Sequence, residues 1–558
     1  MQKTSSLYNA RLLAFLLNEH GIKNIIVSPG SRNAPLIIAL RAYDFNFYSI
    51  PDERAAAFSA LGMALEDGKP AVVICTSGSA AANYFPAVSE AFYQKVPLLL
   101  ITADRPKEWI GQGAGQTIQQ ENIYGSHVLH ASNLLREPQD DLAKNYNQRI
   151  ANEALIKSLK GPVHINVPFD EPLYDTIDLK NEDFRLIKEL GGESVLSEAD
   201  WQFVKPLYKK ANKVLIIAGQ ASADGALKET LKNLLAKPGH LLFTETLSNL
   251  NDISGVHSID RLINTIDEEQ KQFLQADLVI SFGGEIVSKM LKSYLKDFKP
   301  KAHWHLSESD SLIDTFQALS LNLKTRPLEF FKGLNAIDYS GDLSWTKEIL
   351  NWDTLKFKLH QKYWQKAPYS DFKVFGHILQ LLPENSLFHC ANSASIRYAQ
   401  LFNQRPYILH YANRGTSGID GSTATAMGHA LNSDKTVCLV TGDIAYLYDS
   451  GAFWNDSLPD NFKIIILNNG GGNIFRIIKG PENNTDFERF QETQHNLNLA
   501  GIAETYNINH SVISSEDALD AALKKLFAQK STAILEIQTP SVASPQVLKD
   551  YFQYLKTN

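Results

Sequence analysis

The sequence predicts an α/β protein made of three doubly wound parallel-sheet domains. Three observations carry this prediction. The chain has 558 residues, too many for one core, because single cores stop growing at roughly 250–300 residues. Short, unalternating Val/Ile/Leu runs recur between helix-length segments, the pattern of strands buried on both faces of a parallel sheet. Two stretches break the alternation. Residues 171–198 are charged and lack strand periodicity, and residues 333–370 are rich in Trp, Lys and Tyr and read as helical. The units between them are expected over residues 1–180, 195–335 and 360–558.

The opening MQKTSSLYNARLLAFLLNEHG reads as an amphipathic helix closed by Glu19 and His20. It has no small-residue cleavage site, which argues against a signal peptide. Strands of the first unit are expected at 24–30 (NIIVSPG), 71–78 (AVVICTSG), 97–104 (PLLLITAD) and 162–168 (PVHINVP). In the second they fall at 213–219, 240–246, 277–284 and 302–309. The third has 386–393, 436–443, 462–469 and 532–539. Ligands of open parallel sheets bind beyond the carboxyl ends of the strands. Here those ends read SPGSRN, CTSGSAAAN and TADRP in the first unit, and CANSASIR, TGDIAYLYD and LNNGGGNIF in the last. The middle unit offers only IAGQ and SFGG, so the chemistry is expected in the outer two.

Composition narrows the partners. Hydrophobic residues make up 44% and charged residues 21%, a globular balance. A net charge of -7 leaves no cationic surplus for nucleic acid or anionic membranes, so anion binding must rest on a few placed cations. Cys75, Cys390 and Cys438 sit in strand runs without a CxxC neighbour, which argues against disulfides and structural zinc. No apolar run approaches the roughly 18 residues of a membrane span, and a soluble cytoplasmic protein is expected. The fifteen histidines lack metal-site spacing; His164, His305 and His389 read as structural strand residues. GGGNIF lacks the βαβ context of a dinucleotide fingerprint.

The strongest motif is TGDIAYLYDSGAFWNDSLPDNFKIIILNNGGGNIF, residues 441–475. One strand closes on Gly442-Asp443 and the next on Asn468-Asn469 and three glycines. Asp443 and Asn469 supply hard oxygen ligands suited to Mg²⁺, with room for a backbone carbonyl, water and a diphosphate. The glycines let backbone approach a ligand closely. Taken alone, Asp443 also fits a helix cap. In the first unit Glu53 opens a helix in SIPDERAAAF, where a carboxyl group can shuttle a proton or stabilise the helix dipole.

The GD and NN pair resembles the metal-and-diphosphate motif of thiamine-diphosphate enzymes, with Ile444 where glycine is usual. SPGSRNAPL, DERAAAF, TSGSAAANYFPAVSEA, LLLITADRP, GQTIQQ, NRGTSGIDGSTATAMG and GDIAYLYD together resemble the 2-succinyl-5-enolpyruvyl-6-hydroxy-3-cyclohexene-1-carboxylate synthases of menaquinone biosynthesis. In that family GDI or GDL replaces GDG. The resemblance spans the first and last units and is weak in the middle one. It implies a pyrimidine-binding first domain, a central α/β domain and a diphosphate- and metal-binding third domain. It also implies decarboxylation of 2-oxoglutarate on thiamine diphosphate with Mg²⁺ (or Mn²⁺), and conjugate addition of the four-carbon unit to isochorismate.

By the same resemblance, Asp443, Asn469 and the carbonyl of Gly471 hold the metal. Glu53, Ser77, Ile419, Gly442, Asp443, Ile444, Asn469 and Gly471 contact the cofactor. Ile419 is the bulky residue that bends it, and Glu53 activates it. Ser31, Arg32, Arg105, Gln116 and Lys289 hold isochorismate. Ser393, Arg397 and Arg414 lie around the 2-oxoglutarate-derived unit with catalytic roles, and Phe475 and Ile478 shield it from water. The site is implied to lie between subunits of a homodimer or a dimer of dimers. Residues 479–494 read either as a lid or as solvated surface.

Overall fold

The computed structural model describes residues 2–558 except 181, 192–193, 479 and 482–483. Behind the short strand β1 (Lys3–Ser5), a six-stranded sheet takes up β2 (Asn24–Val27), β3 (Asn46–Ser49), β4 (Ala71–Cys75), β5 (Leu98–Asp104), β6 (His130–Asn133) and β7 (Pro162–Pro168). Its order is β3-β2-β4-β5-β7-β6, with every neighbour parallel. Strand β8 (Thr176–Asp178) returns to pair antiparallel with β1. The middle sheet comprises β9 (Val214–Ala218), β10 (His240–Thr244), β11 (Leu278–Phe282), β12 (Ala302–Leu306) and β13 (Leu319–Leu323), in the order β10-β9-β11-β12-β13. The last sheet holds β14 (Leu387–Cys390), β15 (Leu409–Tyr411), β16 (Val437–Gly442), β17 (Phe462–Asn468), β18 (Asn509–Ile513) and β19 (Ala533–Gln538), ordered β15-β14-β16-β17-β19-β18.

Every apolar run read from the sequence is a strand here, and Cys75, Cys390 and Cys438 are buried within such strands. The strands without such a run are β3, β6, β13, β15 and β18, all at sheet edges, and the β1–β8 pair. Each of those edge strands is only partly buried. An edge strand has one unpaired flank and a wetter face, so it needs no continuous apolar run. The 171–198 stretch accordingly does hold one strand, β8, paired outside the three sheets. Residues 333–370 are helical as expected, mainly in the helix Leu343–Lys366.

Helices flank each sheet, and one face of the first sheet shares a continuous core with one face of the last. The helices Glu53–Asp67 and Ser422–Leu431 cross at that shared core. A Cβ on Gly62 would stand 1.9 Å from the Thr425 carbonyl oxygen, and one on Gly428 would stand 1.9 Å from the Ser59 carbonyl oxygen. The alanine-rich ERAAAFSALGMALED has high helix propensity and a thin profile. Asp52 caps this helix by accepting from the Ala55 N–H at 3.1 Å, which fixes where Glu53 begins.

Candidate active site

The parallel strands of the last sheet end together and bring the GD and NN segments side by side. Asp443 opens the helix Asp443–Tyr448 and its carboxylate is buried. Oδ1 accepts from the Ile444 N–H at 2.7 Å, and Oδ2 accepts from the N–H groups of Gly470 at 2.8 Å and Gly471 at 3.0 Å. Burial raises its pKa, partly countered by those bonds and by His495, whose Nε2 lies 3.4 Å from Oδ2. The helix-start role and the loop-organising role thus coincide in one residue. Gly470 has φ 76°, a backbone state that glycine adopts without strain.

Asn469 donates from Nδ2 to Asp371 Oδ2 at 3.2 Å, while its Oδ1 is buried without a partner. Asn473 is buried as well and lies beside Asp371. Orphaned buried acceptors are costly unless something absent from the polypeptide satisfies them. A carboxylate, an orphaned amide oxygen and a glycine loop form an oxygen-rich set that fits a hard divalent cation. Among the described residues no cluster of three or more His, Cys, Asp or Glu side chains could hold a metal, so this mixed set is the relevant one.

Glu53 is half-buried, and burial raises its carboxyl above the ordinary range. Among the described residues no cation pairs with it. Its neighbours place this end of the first sheet against the same chain's last unit. Arg54 Nη2 donates to the Tyr448 carbonyl at 2.7 Å, and the Ser49 N–H donates to Asp456 Oδ1 at 3.0 Å. Cys75 and Tyr84 lie within electrostatic reach of its carboxylate.

The remaining predicted residues fall into two groups. The first lies at the carboxyl edge of the first sheet. Arg32 is buried and donates from Nη1 to the Phe169 carbonyl at 3.3 Å; the same nitrogen lies 3.3 Å from the exposed Glu171 carboxylate. Burial and then the charge of Arg105 lower its pKa. Arg105 is half-buried with Nε unpartnered, beside a cleft of ≈ 200 Å³ lined also by Asp104, Lys107, Gln119, Asn133 and Asn166. Ser31 is exposed and Ser77 buried. Gln116 is exposed with φ 54°, and its backbone lies against Gly78.

The second group gathers the middle and last units. Ser393 has φ 70° and precedes the helix Ala394–Ala399, which carries Arg397. Such backbone states in a non-glycine residue cost energy and concentrate at functional sites. Arg414 donates from Nη1 to Asn392 Oδ1 at 3.0 Å. Burial lowers its pKa, Glu245 raises it, and Arg397 lowers it again. The Nε atoms of both arginines are buried and unpartnered. Lys289 is exposed at the start of the helix Lys289–Asp297. Ser288 caps that helix and donates to Asp260, which lies within electrostatic reach of Arg397. Phe475 and Ile478 are half-buried beyond the glycine loop, and Ile419 is 37% exposed.

Arg32 with Arg105 and Arg397 with Arg414 are like-charged neighbours with carboxylates close by. The unpartnered Nε donors of Arg105, Arg397 and Arg414 are of the kind that pairs with a carboxylate or phosphate. Among the described residues no hydrogen bond or ion pair joins the first group to the second. The 479–494 segment falls partly outside the described residues, at 479, 482 and 483. Near its end, Glu492 and the following His495 meet the glycine loop. Gly472 N–H donates to the Glu492 carbonyl, His495 N–H donates to the Gly470 carbonyl, and Arg476 bridges to Glu492.

Sequence reasoning did not single out Asp371, Glu245, Asp260, Glu90 or His495. Asp371 is fully buried, its pKa pushed up to about 6 by burial with a contribution from the Asp443 charge. Ser370-Asp371 reads only as a helix start, and nothing local marks its contact with Asn469. Glu245 accepts from the Val287 and Ser288 N–H groups, each at 2.6 Å, so it holds the start of the Lys289 helix.

Comparison with known proteins agrees with this arrangement. Residues 9–123 match the family described as thiamine pyrophosphate enzyme, N-terminal TPP binding domain. Residues 181–389 match the middle domain of thiamine pyrophosphate enzymes, and 390–537 match the C-terminal TPP binding domain. The protein is therefore a thiamine-diphosphate enzyme. The 2-succinyl-5-enolpyruvyl-6-hydroxy-3-cyclohexene-1-carboxylate synthase of Flavobacterium johnsoniae is 41% identical, with 98% of each chain covered. That of Christiangramia forsetii is 40% identical over the whole of both chains, and that of Porphyromonas gingivalis is 37% identical over 98% of this chain and 96% of its own. Within the thiamine-diphosphate enzymes, the chain belongs to this synthase family.

Proposed function

We propose that the protein decarboxylates 2-oxoglutarate and adds the resulting four-carbon unit to isochorismate in a conjugate sense. The products are 2-succinyl-5-enolpyruvyl-6-hydroxy-3-cyclohexene-1-carboxylate and CO₂, in menaquinone biosynthesis. The observation that carries this reading is that the chain holds two arginine pairs, one in the first unit and one in the last, besides an oxygen-lined glycine loop. Two multiply carboxylated substrates and a metal-bound diphosphate need those two kinds of site.

Asp443, Asn469 and the Gly471 carbonyl would hold Mg²⁺ (or Mn²⁺), with Gly442 and Ile444 beside the diphosphate and Ser77 and Ile419 around the rings. Thiamine diphosphate, when bound, supplies the nucleophilic carbon and the electron sink for loss of CO₂ from a 2-oxo acid. Glu53 holds and returns a proton at its carboxyl oxygen, a task suited to a half-buried carboxyl with a raised pKa. Arg397 and Arg414 orient the donor carboxylates in bidentate fashion, with Ser393 as a hydrogen-bonding neighbour. Arg32, Arg105, Ser31, Gln116 and Lys289 hold the acceptor. Phe475 and Ile478 exclude water, which would otherwise protonate the reacting centre.

We infer, as the family resemblance implies, a homodimer or a dimer of dimers with the site between subunits. We assign the pyrimidine-binding role to residues 1–180, the central domain to 195–335 and the diphosphate-binding role to 360–558. No described helix is long and apolar enough to cross a membrane, and we assign a cytoplasmic location. The test combines the protein with thiamine diphosphate, Mg²⁺, 2-oxoglutarate and isochorismate. CO₂ release coupled to isochorismate loss is expected. Turnover of pyruvate but not 2-oxoglutarate would overturn the donor assignment.

A further inference from the structure

We propose that Glu90, on the helix Phe85–Gln94 of the first unit, is a positioning residue for Arg414 and so sets recognition of the 2-oxo acid's distal carboxylate. The inference rests on the donor-site reading given to Arg414 above.

Glu90 is 1% exposed; among the described residues no ion pair reaches it, and its negative charge acts on Arg414. Its two carboxylate oxygens collect four donors. Oε1 accepts from the Gly415 N–H at 2.7 Å and from Gln94 Nε2. Oε2 accepts from the Thr416 N–H and the Thr416 hydroxyl, both at 2.6 Å. Only an acceptor with two oxygens and no proton can satisfy all four. The residues it grips follow Arg414 directly in the chain. On the other side, Asn392 Nδ2 donates to the carbonyls of Asn413 at 2.6 Å and Gly418 at 2.7 Å, while Asn392 Oδ1 receives Arg414 Nη1. Asn392 of the last unit therefore holds the side chain and the flanking carbonyls, while Glu90 of the first unit holds the backbone N–H groups that follow Arg414. The middle unit joins the same junction: Gln220 Nε2 donates to Gln94 Oε1 at 3.0 Å and to the Ala412 carbonyl at 3.1 Å.

The grip leaves no slack. A Cβ on Gly415 would stand 2.6 Å from the Glu90 carbonyl oxygen. A glutamine at position 90 presents an amide N–H₂ to donors that need an acceptor, so it pushes the 415–416 backbone away and carries Arg414 with it. Displacing a substrate-orienting group by about an ångström costs on the order of a hundredfold in rate.

The experiment is a double-mutant cycle on the cofactor-loaded enzyme with Glu90→Gln, Arg414→Ala and the combined variant. It reads KM and kcat separately for 2-oxoglutarate and isochorismate. Glu90→Gln is expected to raise the KM for 2-oxoglutarate about ten- to a hundredfold and leave that for isochorismate unchanged. The combined variant should be no worse than Arg414→Ala alone, since Glu90 acts through Arg414. Multiplicative effects, or equal effects on both substrates, overturn the proposal. An Arg414→Ala variant with an unchanged KM for 2-oxoglutarate overturns the donor-site reading and this inference together. A normal effect of Arg414→Ala with none from Glu90→Gln sinks only the latter. Thr416→Val removes one of the four donors without touching the buried charge. It is expected to shift the same KM in the same direction, and an unchanged KM counts against the proposal even if Glu90→Gln fails to fold.

Discussion

The first and last sheets have the same construction and opposite equipment. Numbering each sheet's strands in chain order, both run second, first, third, fourth, sixth, fifth. In both, the helix between the second and third strands lies at the shared core, and these two helices meet through Gly62 and Gly428. No sequence repeat betrays this correspondence. The difference lies at the strand ends. The first sheet ends in Glu53, Arg32 and Arg105; the last ends in Asp443, Asn469 and glycines, with Arg397 and Arg414 alongside. On the proposed reading, one scaffold used twice carries a carboxyl group and an arginine pair on one half, and the metal-holding set with a second arginine pair on the other.

The largest effect should come from separating the halves. Glu53→Gln keeps the shape and removes the exchangeable proton, and it should lower kcat about 10²–10⁴-fold. Asp443→Ala should abolish metal-dependent turnover. If the site forms between two chains, mixing and reassociating these inactive variants restores activity. Random pairing makes half the dimers mixed, each with one intact site of two, so about a quarter of wild-type activity should return. No recovery after verified subunit exchange would show that both halves come from one chain.

A smaller effect is expected at Asp371, which fixes the amide of Asn469 so that Oδ1 faces away from it. Asp371→Leu frees that amide and removes a nearby negative charge. Mn²⁺ affinity, followed by electron paramagnetic resonance with thiamine diphosphate present, should fall about 10–100-fold, the usual range for groups behind a metal ligand. KM for isochorismate should stay constant. An unchanged Mn²⁺ affinity would leave Asp371 with a packing role only.

The helix crossing tests the correspondence itself. Gly62→Ala and Gly428→Ala each drive a methyl group into a backbone carbonyl of the other half, and each should cost about 1–3 kcal/mol of stability. If the two halves are equivalent at this seam, the losses read by thermal unfolding should match. Because both variants force the same helices apart, the double variant should lose less than their sum.

The halves were unequally legible in the sequence. Interior strands were readable because burial on both faces forces continuous apolar runs. Edge strands β3, β6, β13, β15 and β18 were not, because half-exposed strands carry no such run. Asp443, Asn469 and the three glycines stood out because consecutive strand ends placed them at a fixed spacing. Glu90 did not. Its partners Gly415 and Thr416 lie more than 300 residues away in sequence, and a lone glutamate within a helix has no local signature. Asp371 and Glu245 were hidden for the same reason: their significance is the backbone or amide they hold, which only the fold supplies.

Glu245 gives the finest test, since it shows that the middle unit is electrostatically tied to the last one. It is fully buried between the start of the Lys289 helix and Arg414. Burial, with a contribution from Asp260, pushes its pKa from 4.5 up to about 7, against the opposing bonds and the charge of Arg414. Between those two values the folded state binds more protons than the unfolded state. Stability therefore falls as pH rises from 4.5 to about 7. The slope from this group is at most about 1.4 kcal/mol per pH unit. Glu245→Gln should be less stable overall, because two N–H donors then face an amide, yet it should lose this component of the pH slope. Denaturant unfolding of both proteins across the window measures the difference. An identical slope would mean that Glu245 stays ionised throughout and that Arg414, rather than burial, controls its charge.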